Sequence, residues 1–390
     1  MAAAVALVAL VVLLLQQQHC AIGQQVPGYF IFGDSLVDNG NNNQLQSLAR
    51  ADYMPYGIDF PGGPSGRFSN GLTTVDVIGT LHRVVVATVT RNLNLDRLIC
   101  VFLFFFLVAE QLGFDDYIPP YVTASGQDVL GGVNYASAAA GIREETGRQL
   151  GGRISFSGQV RNYQNTVRQI VDILGSEDAA ADHLGKCIYS IGLGSNDYLN
   201  NYFMPQFYNT GSQFTPEQYA SDLIRRYTQQ LQTLHHYGAR KIAVVGVGKV
   251  GCVPHMMDMF GTKGSKCIQN VNSAAQNFNK QLKKLVVDLN KELKDAKLIY
   301  INSYGMSDGD PTILGFKYIT SGCCKSREDG QCVEGETPCS NRKEYVFWDS
   351  FHPTETGHKA VADRTYKSLL PSDSDPFDLH SLAALDIGKQ

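Results

Sequence analysis

Apolar positions in this chain fall into short unbroken runs separated by longer stretches with helical spacing. Tyr29, Phe30, Ile31 and Phe32 make the first run, and residues 130–136, 187–191, 241–245 and 297–301 make four more. Runs of this length, bounded by Gly, Ser or Asn, predict buried strands. Between them, Leu72, Val75 and Ile78 share one side of a helical pattern. Val160, Tyr163, Val167, Ile170, Val171 and Leu174 do the same within residues 159–175. Thr215 followed by Pro216 predicts a capped helix running to about Tyr237 and stopped by Gly238. Residues 267–296 place Val271, Ala275, Phe278, Leu282, Leu285 and Leu289 on one face of a long helix, and a last helix is expected from about Thr354 to Leu369. Alternating strands and helices predict one α/β domain, a mostly parallel five-stranded sheet covered on both faces. No repeat or linker divides it, and the tail beyond Pro371 reads as polar and loose.

Two stretches break this rhythm. Residues 1–24 carry no charged side chain, and an apolar run over residues 2–15 leads to the small residues Ala21 and Gly23. The run is too short to span a bilayer and predicts an export signal over residues 1–23, with a single domain over 24–390. The second is the apolar run at residues 98–108. It too is short of a membrane span, and by itself it reads as a buried strand or core helix.

Composition narrows the classes. The 390 residues suffice for a full core. Lys and Arg number 33 against 37 Asp and Glu, a net charge of −4. With no basic face or stripe, nucleic acid is not an expected partner. Nine cysteines suit an oxidising destination. Cys20 leaves with the signal, and Cys100 lies in the second odd stretch. Cys252 and Cys267 flank a short loop and are expected to pair, while Cys323, Cys324, Cys332 and Cys339 allow three connectivities. Cys187 reads as a buried free thiol. Zinc at the late cluster is the rival reading, but adjacent cysteines lack the paired Cys-x-x-Cys spacing. No Asn-x-Ser/Thr triplet occurs, so no N-glycan is expected.

Candidate chemistry sits at the ends of the predicted strands. Ser35 follows the first, within Gly33-Asp34-Ser35; taken alone this is an ordinary turn. Asp349 and His352, three apart, can stand side by side. His352 could then take the Ser35 proton, with Asp349 holding the other ring nitrogen. The oxyanion formed by such an attack needs donors in place, and the Ser35 and Gly141 backbone N–H groups and the Asn196 side chain supply them. Asp34 is expected to bond locally at the turn. Each piece has a bland reading, a helix start for Asp-x-x-His and a turn around Asn196, but together at strand ends they describe a serine hydrolase. Gly246, Gly248 and Gly251 fit the dinucleotide pattern Gly-x-Gly-x-x-Gly, but Cys252 and Pro254 stand where its helix should open, so a tight turn is expected. His235, His236, His255 and His358 read as structural. No metal or other cofactor is called for.

Four segments carry a resemblance: Phe32-Gly33-Asp34-Ser35-Leu36, Asn134 to Ile142, Gly192 to Tyr198, and Phe347 to Glu355. They are similar to the signature segments of the plant GDSL esterase/lipase family, within the SGNH hydrolases, and the similarity runs from about Tyr29 to about Leu370. The resemblance implies a three-layer α/β/α flavodoxin-like fold and ester hydrolysis through an acyl-enzyme. It implies Ser35 as nucleophile, Gly141 and Asn196 as oxyanion donors, and Asp349 and His352 as the rest of the triad. The expected protein is a secreted monomer acting on a lipid, polyester or small acyl ester, without a stable membrane span. The family runs almost directly from the segment ending at Ile78 to that starting at Ala109, so residues 79–108 are an insert in what should be one helix. Their Phe- and Leu-rich run is read as a translated intron, which transcript reads across it would decide. The other class of function is an inactive exported binding or storage protein that keeps the fold; the complete site set argues against it, the insert for it.

Overall fold

The computed structural model describes residues 24–80, 82–83, 108–109, 111–262 and 266–387. The expected signal over residues 1–23, with Cys20, lies outside them, as do Cys100 and nearly all of the insert. In chain order the main elements are β1 (Tyr29–Gly33), α1 (Thr74–Gly79), α2 (Phe156–Leu174), α3 (Glu177–Lys186), β2 (Ile188–Gly192) and α4 (Pro216–His236). They continue with β3 (Lys241–Val245), α5 (Pro254–Met259), α6 (Gln269–Glu292), β4 (Lys297–Ile301), β5 (Tyr318–Gly322) and β6 (Tyr345–Phe347). The last are α7 (Glu355–Tyr366), β7 (Ser374–Asp375) and α8 (Leu379–Ala383).

Strand pleating sorts the core into layers. Side chains alternate across a strand. Phe30 and Phe32 therefore enter a cluster with the buried faces of α2, α4 and α6. Tyr29 and Ile31 enter the opposite cluster with α1, α7 and α8. The six positions expected on one face of α6 are all in the first cluster. This is the sheet covered on both faces expected from the alternation, and the three-layer α/β/α arrangement that the resemblance implies. A third cluster, at the loops beyond the strand ends, joins Tyr56, Phe68 and Trp348 to Cys323, Cys324 and Cys332.

The main sheet has five strands in the order β1-β2-β3-β4-β7, parallel except for the last. Four of the five expected strands are there; the fifth, and the reading of the tail as loose, need correction. Residues 130–136 form no strand. They run beside the free edge of β1, with Ile31 N donating to Val133 O at 3.0 Å and Tyr135 N to Ile31 O at 2.8 Å, but bridge it only at Asn134. Gly132 takes φ +111°, and Asn134 accepts the Ala136 N–H on its own side chain, so the chain turns at both ends of the contact. Counted with this segment, the order is the doubly wound 2-1-3-4-5. The fifth strand is instead β7, in the tail expected to be loose, where Tyr300 faces Asp375 and Ile301 faces Ser374.

Helix signals translate closely. Thr215 caps α4 with a capping box and Pro216 in its first turn, as expected. The last helix ends at Tyr366 rather than Leu369. Around the insert, α1 stops at Gly79, and Leu112 N donates to Ile78 O while Phe114 N donates to Gly79 O. The chain thus returns beside the end of α1 instead of prolonging it. Next to that point His82 and Arg83 pair antiparallel with Ala109 and Val108. The expected disulfide Cys252–Cys267 is present; the late four pair as Cys323–Cys339 and Cys324–Cys332, and Cys187 is free and buried.

Candidate active site

Ser35 sits where β1 ends and the backbone folds sharply. Asp34 organises that turn: its carbonyl accepts Val37 and Asp38 N–H, and its carboxylate accepts Leu36 N–H at 3.0 Å. This is the local role expected of Asp34. Gly33 is clamped from the α2 side by Gln159, which accepts Gly33 N–H at 3.0 Å and donates to Gly33 O at 2.8 Å. A Cβ at Gly33 would collide with Val37, so the turn admits no side chain there. Burial pushes the Asp34 carboxyl up to about 6, against the Leu36 N–H and the positive field of His352.

The loop after β6 brings the other partners. Asp349 Oδ1 accepts the backbone N–H of Phe351 and of His352, each at 2.8 Å, and this bend turns the His352 ring back onto its own carboxylate. His352 Nδ1 lies 2.7 Å from Asp349 Oδ2, and His352 Nε2 lies 2.8 Å from Ser35 Oγ. A carboxylate can only accept, so the ring proton belongs on Nδ1 and leaves Nε2 to accept from the serine hydroxyl. Asp349 is fully buried. Burial pushes its carboxyl up, but the charge and hydrogen bonds of His352, with a bond from Tyr56, outweigh it and hold the group below the usual carboxylate range.

Gly141 and Asn196 stand on either side of β1, one after the segment along its outer edge, the other after β2. They are tied together through Ala140, whose carbonyl accepts one Asn196 Nδ2 hydrogen at 2.9 Å. That amide carries a second hydrogen. Asn200 fixes the amide's orientation by donating to Asn196 Oδ1 at 2.7 Å. Asp197 holds the Gly141 loop, accepting Ile142 N–H at 2.8 Å, Arg143 N–H at 3.1 Å and the Thr146 hydroxyl at 2.8 Å. A Cβ at Gly141 would strike Thr146 and come within 2.8 Å of Asp197 Oδ1. Just before it, Ala139 takes φ +62°, which a side chain rarely adopts, at the point where the loop turns.

The remaining candidates lie elsewhere. Gly246 N–H donates to Ile301 O, and Asn279 and Asn272 accept the Val247 and Gly251 N–H groups, so this turn's amides are used within the fold. The expected tight turn is a 3-10 turn at Val250–Cys252, although α5 does open two residues later with Pro254 in its first turn. His235 lies 2.8 Å from Asp295, His255 rests on the Phe351 ring, and buried His358 lies 3.0 Å from Thr74 Oγ1. Burial pushes the His358 ring down to about 3. Missed altogether was Tyr56, whose hydroxyl donates to Asp349 Oδ2 at 2.6 Å. The only local hint was its place in a loop rich in Gly and Pro.

The model of the family described as GDSL-like Lipase/Acylhydrolase matches residues 29–365. Among curated relatives, the chain is 54% identical over 365 residues to GDSL esterase/lipase At5g45670 of Arabidopsis thaliana, covering 92% of each chain. It is 55% identical over 367 residues to GDSL esterase/lipase At1g29660 of the same plant, covering 93% of this chain and 92% of the relative. GDSL esterase/lipase At1g33811, also from Arabidopsis thaliana, is 44% identical over 373 residues, covering 93% of this chain and 92% of its own.

Proposed function

Because this chain belongs to the GDSL-like lipase/acylhydrolase family and is a carboxylic ester hydrolase, we propose that it works through a Ser35–His352–Asp349 triad and an acyl-enzyme. The observation that supports this most is the single imidazole bridging Ser35 Oγ at 2.8 Å and Asp349 Oδ2 at 2.7 Å.

In the proposed cycle His352 Nε2 takes the Ser35 proton as Oγ attacks the ester carbonyl carbon. The carbonyl electron pair moves onto oxygen, where the N–H groups of Ser35 and Gly141 and the free Asn196 amide hydrogen hold the charge. Asp349 keeps its own charge and stabilises the imidazolium. Collapse re-forms the carbonyl, breaks the bond to the leaving oxygen, and passes the His352 proton to the departing alcohol. Water then gives its proton to His352, attacks the acyl carbon, and releases the acid and the free serine by the same steps in reverse order of roles. Loss of one oxyanion donor typically costs about 2.7–4 kcal/mol of transition-state stabilisation, so three donors are a large share of the machinery.

Residues 1–23 serve in this reading as an export signal, and three disulfides suit the oxidising compartment it leads to. Among the described residues no helix is long and apolar enough to cross a membrane. Residues 24–390 form one catalytic domain, with 79–108 as its anomalous insert. The test is Ser35→Ala, expected to reduce hydrolysis of short p-nitrophenyl esters by at least about 10⁴-fold with the circular dichroism spectrum unchanged. A fluorophosphonate should label the parent protein and leave the variant unlabelled. Turnover or labelling that survives in the variant would refute the assignment.

A further inference from the structure

Asp349 takes a hydrogen bond that the catalytic cycle does not require. Its Oδ2, the nearer of its two oxygens to His352 Nδ1, also receives the Tyr56 hydroxyl at 2.6 Å. Asp349 is an acceptor only, so Tyr56 must donate; its oxygen in turn accepts the Cys332 N–H at 3.1 Å. The phenol is fully buried and held by its neighbours, edge-on to Tyr53 at 5.3 Å and to Phe68 at 5.7 Å between ring centres. Phe68 also faces the His352 ring at 4.8 Å. A buried phenol needs some partner. The informative point is that this one donates to the nearer of the two carboxylate oxygens that His352 Nδ1 meets, Oδ2 at 2.7 Å against Oδ1 at 2.9 Å.

Resting on the triad assignment above, we propose that Tyr56 is a positioning residue for hydrolysis: through its bond to Asp349 Oδ2 it fixes the carboxylate's plane and sets how much of its charge reaches His352. While Tyr56 donates, part of the Oδ2 charge is drawn away from the ring. Without that donor the full charge stabilises the imidazolium, the base holds its proton to higher pH, and the carboxylate loses one of its fixed points. Other titratable groups facing the pair are Tyr53, Asp34, His255 and His358. Of these Tyr53 alone touches Tyr56 by ring contact, and a phenylalanine at position 56 preserves that contact.

The test compares full-length secreted protein with Tyr56→Phe on a short p-nitrophenyl ester, with active sites counted by fluorophosphonate titration. The expected result is a kcat lower by roughly 5–30-fold, a KM unchanged within about twofold, and an acid limb of kcat/KM moved up by about 0.5–1 pH unit. In the Asp349→Asn background the same change should alter the labelling rate by less than about twofold, since its route to the base is already cut. A core-packing role would lower the active fraction and leave the acid limb in place. If Tyr56→Phe does not fold, 3-fluorotyrosine placed at position 56 keeps the ring and makes a stronger donor, so the acid limb should move down by roughly 0.2 unit. An unmoved limb, or equal rate losses in both backgrounds, overturns the proposal. Failure of the triad itself is told apart by Ser35→Ala: if that variant still hydrolyses, the triad is wrong, whereas if it is dead and Tyr56→Phe is unaltered, only the role of Tyr56 falls.

Discussion

The two halves of the candidate site are held by different means. Around Ser35 the backbone leaves the sheet, and buried side chains complete its hydrogen bonds. Asp38 accepts the N–H groups of Gly40, Asn41 and Ala138, each at 2.9 Å. Asn41 donates to the carbonyls of Asn134 and Ala136, and Asn42 to those of Ala49 and Ala138. Around Asp349 the support is covalent and aromatic. Cys323–Cys339 and Cys324–Cys332 tie the loop between β5 and β6, Cys323 N and Cys324 N donate to Phe347 O and Trp348 O, and Trp348 and Tyr56 fill the space beneath. Buried backbone groups must be satisfied somehow. Beside the sheet, Asp and Asn side chains do it, which leaves that half sensitive to charge; around Asp349, backbone pairs do it within a loop held by cross-links, which leaves that half sensitive to reductant.

The largest way to break that comparison is to remove both late disulfides with Cys→Ser at 323, 324, 332 and 339. Each should cost about 2–4 kcal/mol, enough together to abolish hydrolysis at 37 °C. Amide exchange at 20 °C sharpens the point. Residues 318–352 should lose protection while residues 34–43 keep theirs; equal loss in both would mean that the halves are not separate.

Next in size is Asp197→Ala in the other half. It strips the Ile142 and Arg143 N–H groups and the Thr146 hydroxyl of their acceptor. Unsatisfied buried donors should lower stability by about 2–4 kcal/mol, measured by urea unfolding. Because Gly141 lies on the released loop, kcat should fall roughly 10–100-fold with KM little changed. A stability loss without a kcat loss would mean that Asp197 does not position Gly141 for its proposed oxyanion role.

How much of this was legible in the sequence follows the same division. Strands β1 to β4 announce themselves because each is a continuous apolar run buried on both faces. β7 does not, being two polar residues, Ser374 and Asp375, outside any apolar run. The segment at 130–136 is apolar enough to read as a strand, yet Gly132 and Asn134 bend it after one bridge. α3 was missed although Ser176, Glu177 and Asp178 make a good helix start, because only Ala180 and Leu184 of its residues are buried and the apolar stripe is thin. Ser35, Asp349 and His352 could be singled out as candidates from motif and chemistry, and the fold brings them together. Tyr56 could not: its partner lies 293 residues away, and nothing local distinguishes it from any tyrosine in a loop.

The smallest expected effect is the most discriminating, because the two halves should answer acid with opposite signs. Burial pushes Asp34, Asp38 and Asp197 each up to about 6, against about 3.9 when unfolded. Between pH 6 and 4 the native state therefore binds protons that the unfolded chain does not, and this half becomes more stable as pH falls from 7. On the other side, burial pushes His358 down to about 3, so the unfolded chain takes up that proton first and stability is lost as pH falls below about 6.5. Asp349, held below the usual range, contributes stability that is lost at still lower pH, through its folded value. A wild-type profile mixes these signs, so the useful measurement is a difference. Asp34→Asn keeps an oxygen for the Leu36 N–H and removes one titration. Relative to the parent it should be more stable at pH 7 by about 1–2 kcal/mol, less than the roughly 2.7 kcal/mol that two units would give, since an amide hydrogen bond is weaker than a carboxylate's. The gap should shrink as pH passes through 6 and be gone or reversed by 4. Urea unfolding of both proteins at pH 7, 5.5 and 4 measures it; a gap that stays constant with pH would mean that Asp34 is ionised at no cost, and that the Ser35 turn is not the acid-responsive half.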